Sequence, residues 1–460
     1  MLLTETEVKA LTDKILSMVK ADDASANVGS NVQSHLRFAG NNVLTSGKRE
    51  GRSASVTVWI GGKRGSASTN DLDDASLRTM VDRAEAIAKT APQDREYVPT
   101  LAKQTYKPVN AYFEGTANLS LTDRAKQIGA VIAECEKNGV IGAGFHNANA
   151  SSGGNATKNG NFDYERTTGV GLSVTARTPD GTSSGYFLRG HNDITKLDTM
   201  RIARESIRKA LEGKNARAID PGIYTVILEP QAVADLIGGF GFGFNARTAE
   251  EGRSAFSAPG GKTKIGEKVF DERISIYSDP WHPDLPGSQS VGGGGGGGFG
   301  GGGGGGGLPA QRVVMVENGV LKTLTYNRFW AKQKGVEPTP GPTNTIMETS
   351  GETQTLAQMI ASTERGILVG RFWYIRQTDP RTASSTGLTR DGVWLIENGK
   401  IAYPLKNFRF NQSTVRMLAP GNVLAVGKPE RVGSSEGGGG SLLPALKVKE
   451  FNFTSQSEAV

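Results

Sequence analysis

Glu317-Asn318-Gly319 and Glu397-Asn398-Gly399 are one turn written twice, each between two apolar runs. Asn and Gly tolerate the positive φ angles of a type I′ turn, so Asn-Gly in this setting is the strongest short hairpin signal. It predicts that Val313–Val316 pairs with Leu321–Tyr326, and Val393–Ile396 with Ile401–Phe410. Tyr224–Leu228, Arg273–Tyr277 and Ile367–Arg376 add further strands, and one short helix, about Leu356–Glu364, interrupts them. The expectation is a largely antiparallel, β-rich C-terminal domain over residues 219–460.

Residues 1–218 read differently. Thr4 and Glu7 form a capping-box pattern, followed by Val8, Leu11, Ile15 and Met18 at helical spacing. Leu36 and Phe38 open a strand, and Ser55–Ile60 alternates into a Gly61-Gly62 turn. Asp73 or Asp74 caps a helix that runs to about Thr90, with Leu77, Val81, Ala84 and Ala88 inward, and Pro92 ends it. The pattern recurs in kind. Thr122 caps a helix with Ile128, Val131 and Ile132 inward, closed at Gly139. Pro179-Asp180-Gly181 turns a hairpin, and Asp198 opens a helix through Ile202, Ile207 and Leu211 to Gly213. Strands in hairpins beside helices argue an α+β fold rather than a doubly wound parallel sheet. This N-terminal α+β region has room for two subdomains split near residue 110.

Several function classes drop out. No apolar run approaches a membrane span, and MLLTETEVKALTDK lacks the basic start and apolar core of a secretory signal. Cys135 is the only cysteine, so no internal disulfide forms, which fits a reducing compartment. The expected location is the cytoplasm, without membrane contact. A net charge of +7 is scattered rather than massed in a basic stripe, which argues against nucleic acid as a partner. His35, His146, His191 and His282 lie far apart in sequence, so no local metal-ligand pair exists. Gly292–Gly307 holds 15 glycines in 16 positions, broken by Phe299, and reads as a mobile surface loop. It leads into Leu308-Pro309 and a strand, not into the helix that a phosphate loop needs. Gly437–Gly440 reads as a second flexible link.

No zinc-peptidase helix, paired CxxC, GxSxG or Walker loop occurs, and no catalytic or metal residue is assigned. Cys135, in a helix rich in Ala and Ile, reads as a buried structural thiol. The densest polar constellation runs from Arg371 to Asp391. A strand there is expected to send Arg371, Trp373 and Ile375 to one face and Phe372, Tyr374 and Arg376 to the other. Arg376, Arg381, Arg390 and Asp391 are the candidate peptide- or partner-binding residues, because arginine forks hold carboxylates and carbonyls in fixed geometry. The three arginines are expected close together near an interdomain or partner-facing surface. The competing view is that Asp379 and Asp391 pair with them inside one chain.

Five segments carry a family resemblance: Arg37–Val43; Gly366–Arg381 (GILVGRFWYIRQTDPR); Thr386–Lys400 (TGLTRDGVWLIENGK); Lys406–Asn411 (KNFRFN); and Pro444–Ser455. With the order of elements, they resemble the TldD/PmbA family along nearly the whole chain. The resemblance implies an N-terminal α/β region, a β-rich C-terminal region, and a two-subunit complex that degrades unfolded peptides and trims modified peptide precursors. One subunit of such a pair binds zinc through an HExxxH helix and a later Cys; the other, PmbA or TldE, lacks them. Here Leu236–Gly243 stands where HExxxH should fall, and no Cys lies near the C-terminus. The resemblance therefore implies a PmbA/TldE-type subunit without a cofactor of its own. Such a subunit shapes a chamber and holds peptide for a metal-bearing TldD-type partner, or pairs with itself. Two alternatives stay open: a metallopeptidase active by itself with ligands such as His146 and His191, and a non-enzymatic peptide- or partner-binding protein.

Overall fold

Thr4 starts the first helix as its spacing predicts: its hydroxyl accepts the Glu7 N–H, and the Glu7 carboxylate accepts the Thr4 N–H. In the computed structural model, which describes residues 1–237, 243–291, 307–433 and 440–457, α1 (Glu5–Met18) buries Val8 and Ile15. It leads into β1 (Asp23–Ala39), β2 (Asn42–Ile60), β3 (Lys63–Thr69) and α2 (Asp74–Thr90). After an extended stretch come α3 (Glu114–Ala117), α4 (Leu121–Lys137), β4 (Ile141–Thr157), β5 (Phe162–Arg177), β6 (Ser184–His191) and α5 (Thr199–Glu212). The six strands form one antiparallel sheet in the order β3-β2-β1-β4-β5-β6. Two expectations shift. The strand read from Leu36 begins at Asp23, because Ala24, Ala26 and Val28 alternate inward but are too small to signal strongly. The cap of α4 is Ser120, whose hydroxyl accepts the Asp123 N–H, not Thr122.

The remaining chain is strand-rich, and the fold is α+β. It contains β7 (Gly222–Leu228), α6 (Pro230–Ile237), α7 (Ala246–Glu250), β8 (Ser257–Ala258), β9 (Lys262–Thr263), β10 (Ser275–Ser278) and β11 (Ser290–Val291). Next are β12 (Leu308–Pro309), β13 (Val313–Glu317), β14 (Val320–Leu321), α8 (Arg328–Lys334), β15 (Ile346–Glu348), α9 (Leu356–Ala361) and β16 (Arg365–Val369). Then follow β17 (Phe372–Asp379), β18 (Ser384–Thr389), β19 (Val393–Glu397), β20 (Lys400–Pro404), β21 (Phe408–Ser413) and α10 (Thr414–Met417). The last strands are β22 (Val423–Val426), β23 (Glu430–Gly433), β24 (Gly440–Leu443) and β25 (Leu446–Gln456). One sheet orders β14-β13-β10-β15-β24-β23; a larger one orders β17-β18-β21-β25-β7-β16-β19-β20, with β22 on β25. Both expected Asn-Gly turns form, with Asn318 and Gly319 at φ +47° and +80° and Asn398 and Gly399 at +50° and +74°. The two sheets share a core with α6, and Phe372, Phe410, Phe451 and Phe453 stack there at 4.7–5.6 Å.

Other boundaries are corrected. Ile367–Arg376 is not one strand: β16 lies inside the large sheet, and β17 lies at its edge. The Gly370 N–H bonds to the Gly392 carbonyl and the Phe372 N–H to Asp235, which leads the chain out of the ladder. Leu321–Tyr326 pairs only at its start, since Thr325 turns to the Phe244 carbonyl. Ile401–Phe410 breaks between β20 and β21, where the Lys406 N–H leaves for the Arg217 carbonyl. Beyond α9, the short helices α6, α7, α8 and α10 went unsignalled; α6 is buried from Gln231 to Ile237 and shows no polar stripe. The mobile-loop expectation for Gly292–Gly307 and most of Leu236–Gly243 fall outside the described residues. No helix among the described residues is long and apolar enough to cross a membrane.

The two halves touch along several seams. Arg189 and Arg201 both reach Glu430, at 2.9 and 3.1 Å. Ser288 donates to Glu165 at 2.7 Å, beside Asp163 on the same strand. Burial pushes the carboxyls of Asp163 and Glu165 above their usual range. A carboxyl raised in the folded state favours folding below its unfolded value, near 4, and loses that contribution as pH climbs through the raised value. Asp163→Asn is therefore expected to raise the melting temperature at neutral pH, with the gain shrinking as pH falls toward 4. Melting curves of both proteins across pH 4–8 check this; a pH-independent difference would contradict it.

Candidate functional site

Between β16 and β17 the chain passes through Gly370-Arg371, and opposite them β18 is followed by Arg390-Asp391-Gly392. Arg371 and Asp391 are both buried, with Arg371 Nε 3.2 Å from Asp391 Oδ2. That contact is an ion pair without hydrogen-bond alignment. The Arg371 guanidinium lies 3.9 Å from the Tyr186 ring centre and 4.9 Å from that of Trp373. Ser184 on β6 donates to Asp391 Oδ1, and Arg390 Nε stands 3.8 Å from Asp391 Oδ2. Burial pushes the Tyr186 phenol up to about 12, against the opposing pull of Arg371. Asp391 has φ +54° and Gly392 +135°. Only a short polar side chain or glycine holds such angles at low cost, so this turn is shaped to aim Asp391 inward.

Helix α6 closes the other side. Its first helical residue, Pro230, spends no N–H there. Gln231 and Asp235, one turn apart, face the cluster: Asp235 accepts the Phe372 N–H at 3.0 Å and Gln231 Nε2 at 3.1 Å. Gln231 Nε2 also reaches the Gly433 carbonyl at 2.6 Å, while its Oε1 is buried without a donor. Just before α6, Glu229 meets Lys209 of α5 at 2.5 Å, and both are almost wholly buried. A Cβ at Gly370 would stand 3.1 Å from Lys209 Nζ, so the strand break is glycine where the lysine passes.

Of the sequence candidates, Arg390 and Asp391 belong to this cluster. Arg376 and Arg381 do not, which corrects the expected convergence. Arg376 pairs across to Thr386, and Arg381 sits in the hairpin tip with its side chain 72% exposed, 3.4 Å from Asp379. The six residues of β18 separate that tip from Arg390, at about 3.3 Å per residue. Density along a sequence becomes distance once the segment folds into a hairpin. The expected alternation also fails, because a bulge between Trp373 and Arg376 sets Tyr374 at φ +56° with its side chain outward. Arg376 stacks on that ring at 4.6 Å. Asp379 and Asp391 thus both pair inside the chain, with Arg381 and with Arg371 and Arg390. Among the described residues β17 pairs with β18 alone.

Ser184, Tyr186, Gln231 and Asp235 were not singled out from the sequence. Only the last two carried a signal, two polar residues four apart inside an apolar helix. His146 and His191 sit on β4 and β6 with β5 between them, and His191 Nδ1 already accepts the Asp193 N–H at 2.9 Å. They are not assembled as a ligand pair, and among the described residues no three His, Cys, Asp or Glu side chains form a metal-holding group. Cys135 is buried in the core under α4, which pushes its thiol up to about 11.

Comparison with known proteins places this geometry in context. A family model described as the PmbA/TldA metallopeptidase C-terminal domain matches residues 221–455, and one for PmbA/TldA metallopeptidase domain 1 matches residues 24–88. The metalloprotease TldD homolog of Buchnera aphidicola subsp. Acyrthosiphon pisum (strain APS) is 25% identical over 389 residues, which cover 76% of this chain and 74% of that one. Among solved structures, TldE from Thermococcus kodakarensis superposes with a TM-score of 0.82 at 17% identity, covering 97% of this chain and 99% of its own. A Bacteroides thetaiotaomicron protein, a candidate modulator of DNA gyrase, gives 0.81 at 19% identity, covering 98% and 99%. At these identities the solved structures show a shared fold.

Proposed function

The chain belongs to the TldD/PmbA metallopeptidase family, and from that premise we propose that it is a PmbA/TldE-type subunit of a peptide-processing complex. The observation that carries this reading is the chemistry of α6, the helix directly after β7, around which the family resemblance expects the zinc motif. A protein zinc site needs three or four N, S or O ligands with free lone pairs. Asp235 already accepts from Gln231 and from the Phe372 N–H, and Gln231 spends its amide on Asp235 and Gly433. The residues that follow, Gly238-Gly239-Phe240-Gly241-Phe242, carry no ligand side chain. These residues do not fit zinc.

In this reading the chain binds and a partner cuts. The arginine forks of the β17–β18 hairpin can hold the carbonyls and carboxylates of a peptide in fixed geometry. Arg376 lies on β17 and Arg381 in the exposed tip of the hairpin, on the side offered to a peptide or the partner surface, while Arg390 and Asp391 anchor its base. The partner is a metal-bearing TldD-type subunit or a second copy of this chain. Purified alone and dialysed, the protein is expected to retain no stoichiometric zinc and to leave an unfolded casein substrate uncut, with cleavage appearing when a TldD-type subunit is added. About one zinc per chain with chelator-sensitive cleavage would overturn the reading.

Arg381→Ala separates the tip of the hairpin from its base. Its ion pair is exposed and two residues long, so the unfolding midpoint is expected to move by less than about 0.5 kcal/mol. Weaker peptide or partner association by the folded variant, measured by titration, assigns binding to the tip. Unchanged association confines it to β17 and the Arg390 side.

A further inference from the structure

We propose that Arg124, His146 and Gln127 form an internal receptor for a small oxyanion, a carboxylate or a phosphate, beneath the N-terminal end of α4. This goes beyond the peptide-handling reading and involves none of its residues. Arg124 begins the inward stripe of α4, followed by Ile128, Val131 and Cys135, and is only 3% exposed. Among the described residues its Nε and Nη1 have no acceptor. His146 projects from β4 into the same layer, between Leu36 and Leu172, which pack with Ile128. It is fully buried, and neither ring nitrogen has a partner among the described residues. Gln127, one helical turn from Arg124, holds a buried Oε1 that no donor meets. Five buried polar atoms on three neighbouring side chains are thus unspent, where buried polar atoms are as a rule paired.

The charge on the site selects the ligand. A guanidinium does not deprotonate in a protein, and a buried charge needs a counter-charge. No acid on the facing strands supplies one. β4 contains no Asp or Glu over its whole length, and Asp163 and Glu165 of β5 sit opposite Asn155 and Gly153, at the far end from His146. Asp123, next to Arg124, turns outward to the Ser120 hydroxyl. Burial first, and then the charge of Arg124, hold His146 down to about 4, so at neutral pH it is a neutral imidazole with one N–H to donate. The Gln127 amide, turned over, presents its NH2. Guanidinium, imidazole N–H and amide NH2 are the donors that the site offers, and together they complement an oxyanion, while the second imidazole nitrogen stays an acceptor.

The test is thermal unfolding of the full chain in sodium formate and, separately, in sodium phosphate, with pH and ionic strength held by the sodium salt of a bulky sulfonate. The expected result is a saturable rise in melting temperature in at least one series, as for any ligand that binds only the folded state. The series that saturates at lower concentration distinguishes a carboxylate from a phosphate. Arg124→Leu is expected to weaken that response on the order of 100-fold, without lowering the melting temperature in anion-free buffer. A flat wild-type response in both series, or a response that Arg124→Leu keeps, overturns the proposal and leaves internal water as the partner. Calorimetric titration of formate and phosphate into the wild-type chain decides the matter by itself if the variant does not fold: heat that saturates supports the site, and no saturable heat refutes it.

Discussion

Lys209→Met is expected to cost about 3–5 kcal/mol of stability, the penalty for leaving one member of a buried ion pair without its partner. Lys209 comes from α5 and Glu229 from the entry to α6, and they meet at 2.5 Å with 1% and 8% of their side chains exposed. The ammonium also lies 5.4 Å from the centre of the Phe187 ring, so its removal takes away a cation–π contact as well as the ion pair. The Glu229 carboxylate would then be stranded between the two halves of the chain. Adding Glu229→Gln to Lys209→Met removes the stranded charge and should recover a large part of the loss. A double-mutant cycle on denaturant midpoints measures this. A single-variant loss below about 1 kcal/mol would mean that water reaches the pair.

Asp391→Asn is expected to lose a comparable amount, about 3–5 kcal/mol, for a different reason. Asparagine tolerates φ +54° nearly as well as aspartate, so the backbone of the turn survives and only the charge goes. What remains is a buried Arg371 facing Tyr186, Trp373 and a neutral amide. Asp391→Ala removes the charge and also places a Cβ-bearing, non-hydrogen-bonding side chain in the left-handed region. It is expected to cost roughly 1–2 kcal/mol more. Denaturant midpoints of the two variants, side by side, separate charge from backbone. If the two variants match, the left-handed angle contributes nothing at this position. If Asp391→Asn matches wild type, the Arg371 charge is balanced elsewhere.

How far the sequence could be read depended on how local each cause was. The Asn-Gly turns, the Thr4–Glu7 cap and the Asp198 cap are decided by residues within four positions of one another, and each formed as read. The α+β class followed from them. The break between β16 and β17 was not legible, because Gly392 and Asp235 cause it from elsewhere in the chain. Helix α6 was missed because burial on every side erases the periodic stripe that marks a surface helix. The site was half legible. Arg390 and Asp391 stood out as a polar cluster in a turn, but Ser184, which completes Asp391, lies 207 residues away. Arg376 and Arg381 looked equally dense in sequence, and only the bulge and the hairpin register reveal that they point elsewhere.

The position of β7 in the large sheet has a consequence for synthesis on the ribosome. Its neighbours are β16 and β25, so neither side of Gly222–Leu228 can be satisfied until Arg365 and then Leu446 have emerged. At about 5–20 residues per second, the first of those waits lasts on the order of ten seconds. During that time Val226-Ile227-Leu228 is a nascent segment with two open ladder edges and nothing of its own sheet to pair with. The N-terminal sheet is complete at His191, so a finished surface is available for the waiting strand to lean on, through α5 and the Lys209–Glu229 contact. The order of the chain thus makes the N-terminal half a scaffold for the C-terminal half, and Lys209→Met should lower the yield of folded protein in the cell by more than its equilibrium cost alone accounts for.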